Sequence, residues 1–139
     1  MRIKSSRAVS LLSICFMAAC ASVGGGGDTD TGPSYPQVAG EWSGSITVAG
    51  EQIPSTLSIT QAGADLQLVT RIPALELNTQ GQGTVLPDGG MRGSFSYNLE
   101  CPGEAELVGS LSSDGTTLGG TLLASDCTGD LEGTFRYRR

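Results

Sequence analysis

Two cysteines near the C-terminal end of the chain, Cys101 and Cys127, each stand thirteen residues from Asp114. Thiols so placed can join in a disulfide or act as a redox pair. The redox role goes with a Cys-x-x-Cys spacing, which this pair lacks, so a structural disulfide is expected, formed outside the cytoplasm. A closed loop of about 25 residues would stabilise the fold by roughly 3 kcal/mol. Each cysteine lies among carboxylates, "LECPGEAE" and "SDCTGDLE", which contribute Glu100, Glu104, Asp126 and Asp130. Three chemistries compete for them. They are solvated turn carboxylates, or a negative rim that speeds encounter with a basic protein, or calcium ligands. The last lacks the ordered D-x-D-x-D-G loop that calcium sites use.

Composition closes off most catalysis. There is no histidine in the 139 residues, which removes Ser-His-Asp and Cys-His triads and histidine-containing zinc sites. Paired carboxylates can serve hydrolysis, yet the acids here are turn acids with no nucleophile and base beside them. No catalytic residue, metal or cofactor is expected, and the chain reads as a non-enzyme.

The N-terminal stretch "MRIKSSRAVSLLSICFMAAC" has the layout of a targeting segment. Arg2, Lys4 and Arg7 form a basic start, and Ala8 to Ala19 an apolar run too short for a bilayer, which needs about 20 residues. It ends in Met17-Ala18-Ala19-Cys20, which resembles the lipobox of bacterial lipoproteins with Met in place of the usual Leu. Ile14 before Cys15 is too large for the same role. The resemblance implies lipidation of Cys20 as the first mature residue. Ala21 rather than Asp after it implies sorting to an outer membrane. An ordinary secretory signal cleaved near Ala19 is the alternative. The expected organisation is a signal peptide over 1–19, a lipidated cysteine and Gly-rich linker over 20–36, and one domain over 37–139. A linker of about 15 such residues reaches roughly 20 Å.

Beyond residue 19 the chain keeps five arginines, no lysine and all fourteen carboxylates. That excess of negative charge argues against nucleic acid, whose binding rests on basic contacts to phosphate. It also leaves membrane attachment to the lipid rather than to electrostatics. Loss of lysine removes Schiff-base and P-loop chemistry.

The domain must position these residues through short strands. Turn chemistry recurs at Ala49-Gly50-Glu51, Ala62-Gly63-Ala64, Pro73-Ala74, Pro87-Asp88-Gly89, Pro102-Gly103, Ser113-Asp114-Gly115 and Thr128-Gly129-Asp130, cutting the domain into eight segments. Within them apolar residues alternate, as in Trp42, Gly44, Ile46 and Val48, or Leu131, Gly133, Phe135 and Tyr137. Period two throughout predicts an antiparallel all-β domain. Five segments, "WSGSI", "MRGSF", "LVGSL", "LGGTL" and "LEGTF", place glycine on the apolar face, where it lets a strand bend inward and a sheet close. The prediction is an eight-stranded antiparallel up-and-down β-barrel. In such a meander alternate turns share an end, so Cys101 and Cys127 fall on one rim, almost opposite each other on adjacent strands.

"GEW", Gly40-Glu41-Trp42, is similar to the Gly-x-Trp that opens the barrel of lipocalins and related calycins. The resemblance implies that an arginine of the last strand, here Arg136 or Arg138, packs over Trp42 at one barrel end. Such a cation–π contact is worth about 0.5–1 kcal/mol. Trp42 itself reads as a core plug, with ligand contact as the alternative. Leu66, Leu68, Leu75, Leu77, Leu107, Leu118 and Leu122 suffice to fill the interior, although inward glycines leave room for a small apolar ligand instead. Two functions remain: a lipid-anchored envelope barrel with a binding or structural role, and an inhibitor of a basic secreted protein such as a lysozyme.

Overall fold

The computed structural model describes residues 32–139. The signal-peptide reading, Cys20 and the linker up to residue 31 lie outside the described residues. Eight strands follow one another: β1 (Gly40–Val48), β2 (Glu51–Ala62), β3 (Asp65–Ile72), β4 (Leu77–Val85), β5 (Gly90–Asn98), β6 (Pro102–Leu111), β7 (Thr117–Asp126) and β8 (Gly129–Arg138). Each is antiparallel to the next, and β1 pairs with β8 from Ser43–Arg138 to Val48–Gly133. The domain is therefore a closed eight-stranded up-and-down barrel, and closure leaves no free sheet edge.

Alternation does what the sequence predicts. In β3, Leu66, Leu68, Thr70 and Ile72 are buried while Gln67 and Arg71 are exposed. The core runs through all eight strands, with Trp42, Leu57, Leu66, Leu68, Met91, Leu118 and Tyr137 essentially without solvent contact. The repeated glycines sit where strands approach most closely. Gly109 and Gly120 face each other across β6 and β7. A Cβ on Gly120 would overlap the Val108 carbonyl oxygen and lie 2.8 Å from its carbon, so only glycine permits this curvature.

One connection departs from a simple turn. Pro73–Leu75 forms a single turn of 3-10 helix between β3 and β4, ended by Glu76 at φ 51° with its N–H bonded to the Pro73 carbonyl at 3.1 Å. Proline at the first helical position fits because its missing N–H would have no partner there.

The segment ahead of β1 is part of the packing. Val38 is fully buried and Tyr35 rests against the core. The Val38 N–H donates to Gln61 Oε1 at 2.9 Å, and Gln61 Nε2 donates to the carbonyls of Pro36 and Gly63. This strap crosses the barrel end where β1 starts and β8 finishes.

Candidate functional site

The two ends of the barrel differ. At the strap end Trp42 plugs the interior, and its indole N–H donates to the Val38 carbonyl at 2.9 Å. An arginine does cover this ring, but it is Arg139, with its guanidinium carbon 4.6 Å from the ring centroid. Arg136 and Arg138, the expected partners, are exposed on the outer wall of β8. The reason is parity: Phe135 and Tyr137 point inward, so their even-numbered neighbours point out. Arg139 is the first arginine of inward parity, and it lies just past the strand where it can fold over the end. It also donates to the carbonyls of Gly115, Ala39 and Gln37 at 2.9, 3.2 and 3.0 Å, fastening the strap.

The opposite end is hollow. A cavity of about 180 Å³ opens there, with walls that include Ile46, Ile53, Ile72, Leu77, Phe95, Leu107 and Leu122. Leu75, Leu99 and Leu131 also line it and are 40%, 45% and 47% exposed, so they ring the mouth. A filled interior thus holds for the Trp42 half alone. Inward positions on β6 and β7 near the mouth carry Gly103, Ala105 and Ala124, and Ala105 and Ala124 lie opposite each other. Small side chains meeting at one level leave the void.

Few polar groups reach this space. Tyr137 and Ser55 share a buried hydroxyl–hydroxyl bond of 2.9 Å, and burial raises the Tyr137 pKa above its ordinary value against the lowering effect of Ser55. Thr70 and Thr79 add hydroxyls to the lining. Among the described residues Asp126 is its one charged member. Its Oδ1 accepts from the Thr128 hydroxyl at 2.6 Å and the Thr128 N–H at 2.8 Å, and its Oδ2 from the Tyr97 hydroxyl at 3.2 Å. These donors, Thr128 foremost, hold the Asp126 pKa below the usual carboxylate value. Burial, and then the bond to Asp126, push the Tyr97 hydroxyl up.

The disulfide joins the rim of this mouth. Cys101, just ahead of β6, bonds Cys127, just after β7, with a Cα–Cα distance of 6.2 Å. Gly103 pairs with Asp126 in the ladder, so the cysteines stand one residue out of register. Both sulfurs lie near an Asp126 oxygen, but bonded sulfurs are not thiolate ligands.

The four carboxylates flanking the cysteines do not converge. Asp126 turns to the cavity. Glu104 and Asp130 stand on the outer wall on either side of Ser125, whose hydroxyl donates to Asp130 Oδ1 at 2.6 Å. Glu100 is exposed in the turn before Cys101. Sequence reasoning placed Asp126 at this end but missed that it, alone among the four, faces inward beside Tyr97. The signal existed, because Asp126 shares parity with the inward Leu122 and Ala124.

No protein-family model matches the chain, and no curated protein matches it. Among solved structures it is similar to a redesigned β-barrel, mFAP1, solved bound to DFHBI. The two share 17% identity and a TM-score of 0.59 over 73% of this chain and 94% of that one. At that identity the likeness shows the fold alone: a closed eight-stranded antiparallel barrel.

Proposed function

We propose that the protein is a non-enzymatic, lipid-anchored barrel of the bacterial cell envelope that holds one small apolar ligand in the cavity at its disulfide rim. The cavity carries this reading: about 180 Å³, walled by aliphatic and aromatic side chains and open at one end. A dry apolar cavity of about 150 Å³ accepts a molecule of benzene's size, whereas drug-sized ligands use roughly 300 Å³ or more. The occupant is therefore one ring or one short chain, with any longer part emerging past Leu75, Leu99 and Leu131. That mFAP1 was solved bound to DFHBI supports a barrel of this size as a host for a small molecule. The anchor rests on the Met17-Ala18-Ala19-Cys20 resemblance.

Native mass spectrometry of the chain purified from its bacterium, with an uncharged naphthyl dye as competitor, tests the ligand. Retention of a small apolar molecule, or saturable dye binding, is expected; neither would leave a purely structural barrel. Cys20→Ser should move the protein from the membrane to the soluble fraction, and continued membrane association would refute the anchor.

Docking of a basic protein, such as a secreted lysozyme, on the same rim is a second reading. Glu51, Glu76, Glu100 and Asp130 crowd that end of the barrel, against Arg71 near it. Salt-sensitive capture of such a protein by the intact chain would favour it.

A further inference from the structure

We infer that the rim cavity, if it binds as proposed above, selects ligands by the charge of their polar end, taking an apolar body with a cationic ammonium head and rejecting carboxylates and phosphates. The ammonium lies against Asp126. Two observations place it there. First, Asp126 is the one charged side chain lining the cavity among the described residues, and its two oxygens are unequally occupied. Oδ1 takes two donors from Thr128 at 2.6 and 2.8 Å, whereas Oδ2 takes the Tyr97 hydroxyl at 3.2 Å. The latter is long for an O–H···O bond, whose usual length is about 2.7–2.8 Å. An ionised carboxylate offers about four acceptor sites, so Oδ2 has capacity for a ligand N–H.

Second, charge is distributed unevenly along the barrel axis. Arg92, Arg136, Arg138 and Arg139 lie on the half nearer the strap, where Glu41, Asp65, Asp88 and Asp114 balance them. The mouth end carries Glu51, Glu76, Glu100, Glu104, Asp126, Asp130 and Glu132 against Arg71, which is exposed on the outer wall. A ligand whose tail enters among Leu77, Phe95 and Leu122 must leave its polar end in this negative potential. Among the described residues no arginine reaches the cavity lining to receive an anion. An ordinary aspartate is already ionised at neutral pH, and the hydrogen bonds, those from Thr128 foremost, push the Asp126 pKa further down.

The test compares three ligands that share one tail: octylammonium, octanol and octanoate. Their affinities are measured by calorimetry on the full chain carrying Cys20→Ser, purified without detergent. Octylammonium should bind about five- to tenfold tighter than octanol, between an exposed ion pair and a fully formed hydrogen bond to a charged group, and octanoate weakest of all. The preference should shrink between low and high salt. Asp126→Asn should bring octylammonium to within about twofold of octanol, and an unchanged circular-dichroism spectrum reports that the variant is folded. Octanol binding with octanoate equal to octylammonium overturns this inference alone, and the wild-type affinities decide that even without the variant. So does an ammonium preference that survives Asp126→Asn. Binding of none of the three overturns the ligand-binding reading as well.

Discussion

Arg139 fastens one barrel end, since it covers the ring of Trp42 and donates to carbonyls of the strap and of the β6–β7 turn. An exposed cation–π contact contributes about 0.5–1 kcal/mol, and charge-assisted bonds to carbonyls add to it. Arg139→Ala should therefore lower stability to urea by about 1–2 kcal/mol, whereas Arg136→Ala and Arg138→Ala on the outer wall should each stay within about 0.5 kcal/mol. Equal losses at all three positions would remove the clamp from the account. Asp114 makes a second residue-scale prediction. The Ser112 hydroxyl first, then the N–H and hydroxyl of Thr116, hold its pKa at about 2, below the ordinary 3.8. A carboxylate with a depressed folded-state pKa stabilises above its unfolded value and loses that contribution as pH falls through the folded one. Thermal unfolding should thus show a decline from near pH 4 toward pH 2 that is smaller in Asp114→Asn. Identical profiles would mean that the turn tightens without the charge.

At the scale of the strand, the glycine repeat reads as curvature. Gly119 and Gly120 are neighbours on β7 with opposite parity, and they give an internal control. A methyl group on Gly120 would run into the backbone of Val108 and Gly109, while one on Gly119 would sit 3.3 Å from the Phe135 carbonyl oxygen. Gly120→Ala should destabilise by about 1–3 kcal/mol, as overpacking does, and Gly119→Ala by distinctly less. Reversal of that order in denaturant titrations would place the bend elsewhere. The β4–β5 pair differs from its neighbours: its ladder runs from Gly81–Phe95 to Val85–Met91 and stops short of the mouth. There the Thr79 hydroxyl bonds the Ser96 carbonyl instead. Strand positions and pairing order were legible in the sequence from alternation and turn residues. This shortened ladder was not, because register depends on how the whole sheet closes.

For the whole molecule the decisive feature is the contrast between its ends, one filled by Trp42 and Tyr137 and one left hollow. The void exists because Ala105 and Ala124 meet at one level of the wall. Ala124→Leu should fill it, costing no more than about 3 kcal/mol of stability while abolishing binding of octanol or of a neutral dye. Retained affinity in a folded Ala124→Leu protein would move the ligand out of the barrel. A ligand at about one hundred times its dissociation constant should in turn stabilise the wild type by roughly 2.7 kcal/mol, read as a rise in Tm that Ala124→Leu lacks.

The sequence by itself determined what depends on near neighbours along the chain. The period-two apolar pattern set the strands, the turn residues set the meander, and the meander put Cys101 and Cys127 on one rim. Only the tertiary structure decided that Arg139, rather than Arg136 or Arg138, covers Trp42, that Asp126 meets Tyr97 at the mouth, and that a cavity is left there. Backbone parity is a local property with a fixed period. A cavity is a sum over side chains that eight separate strands bring to one level, and that sum has no value until the barrel has closed.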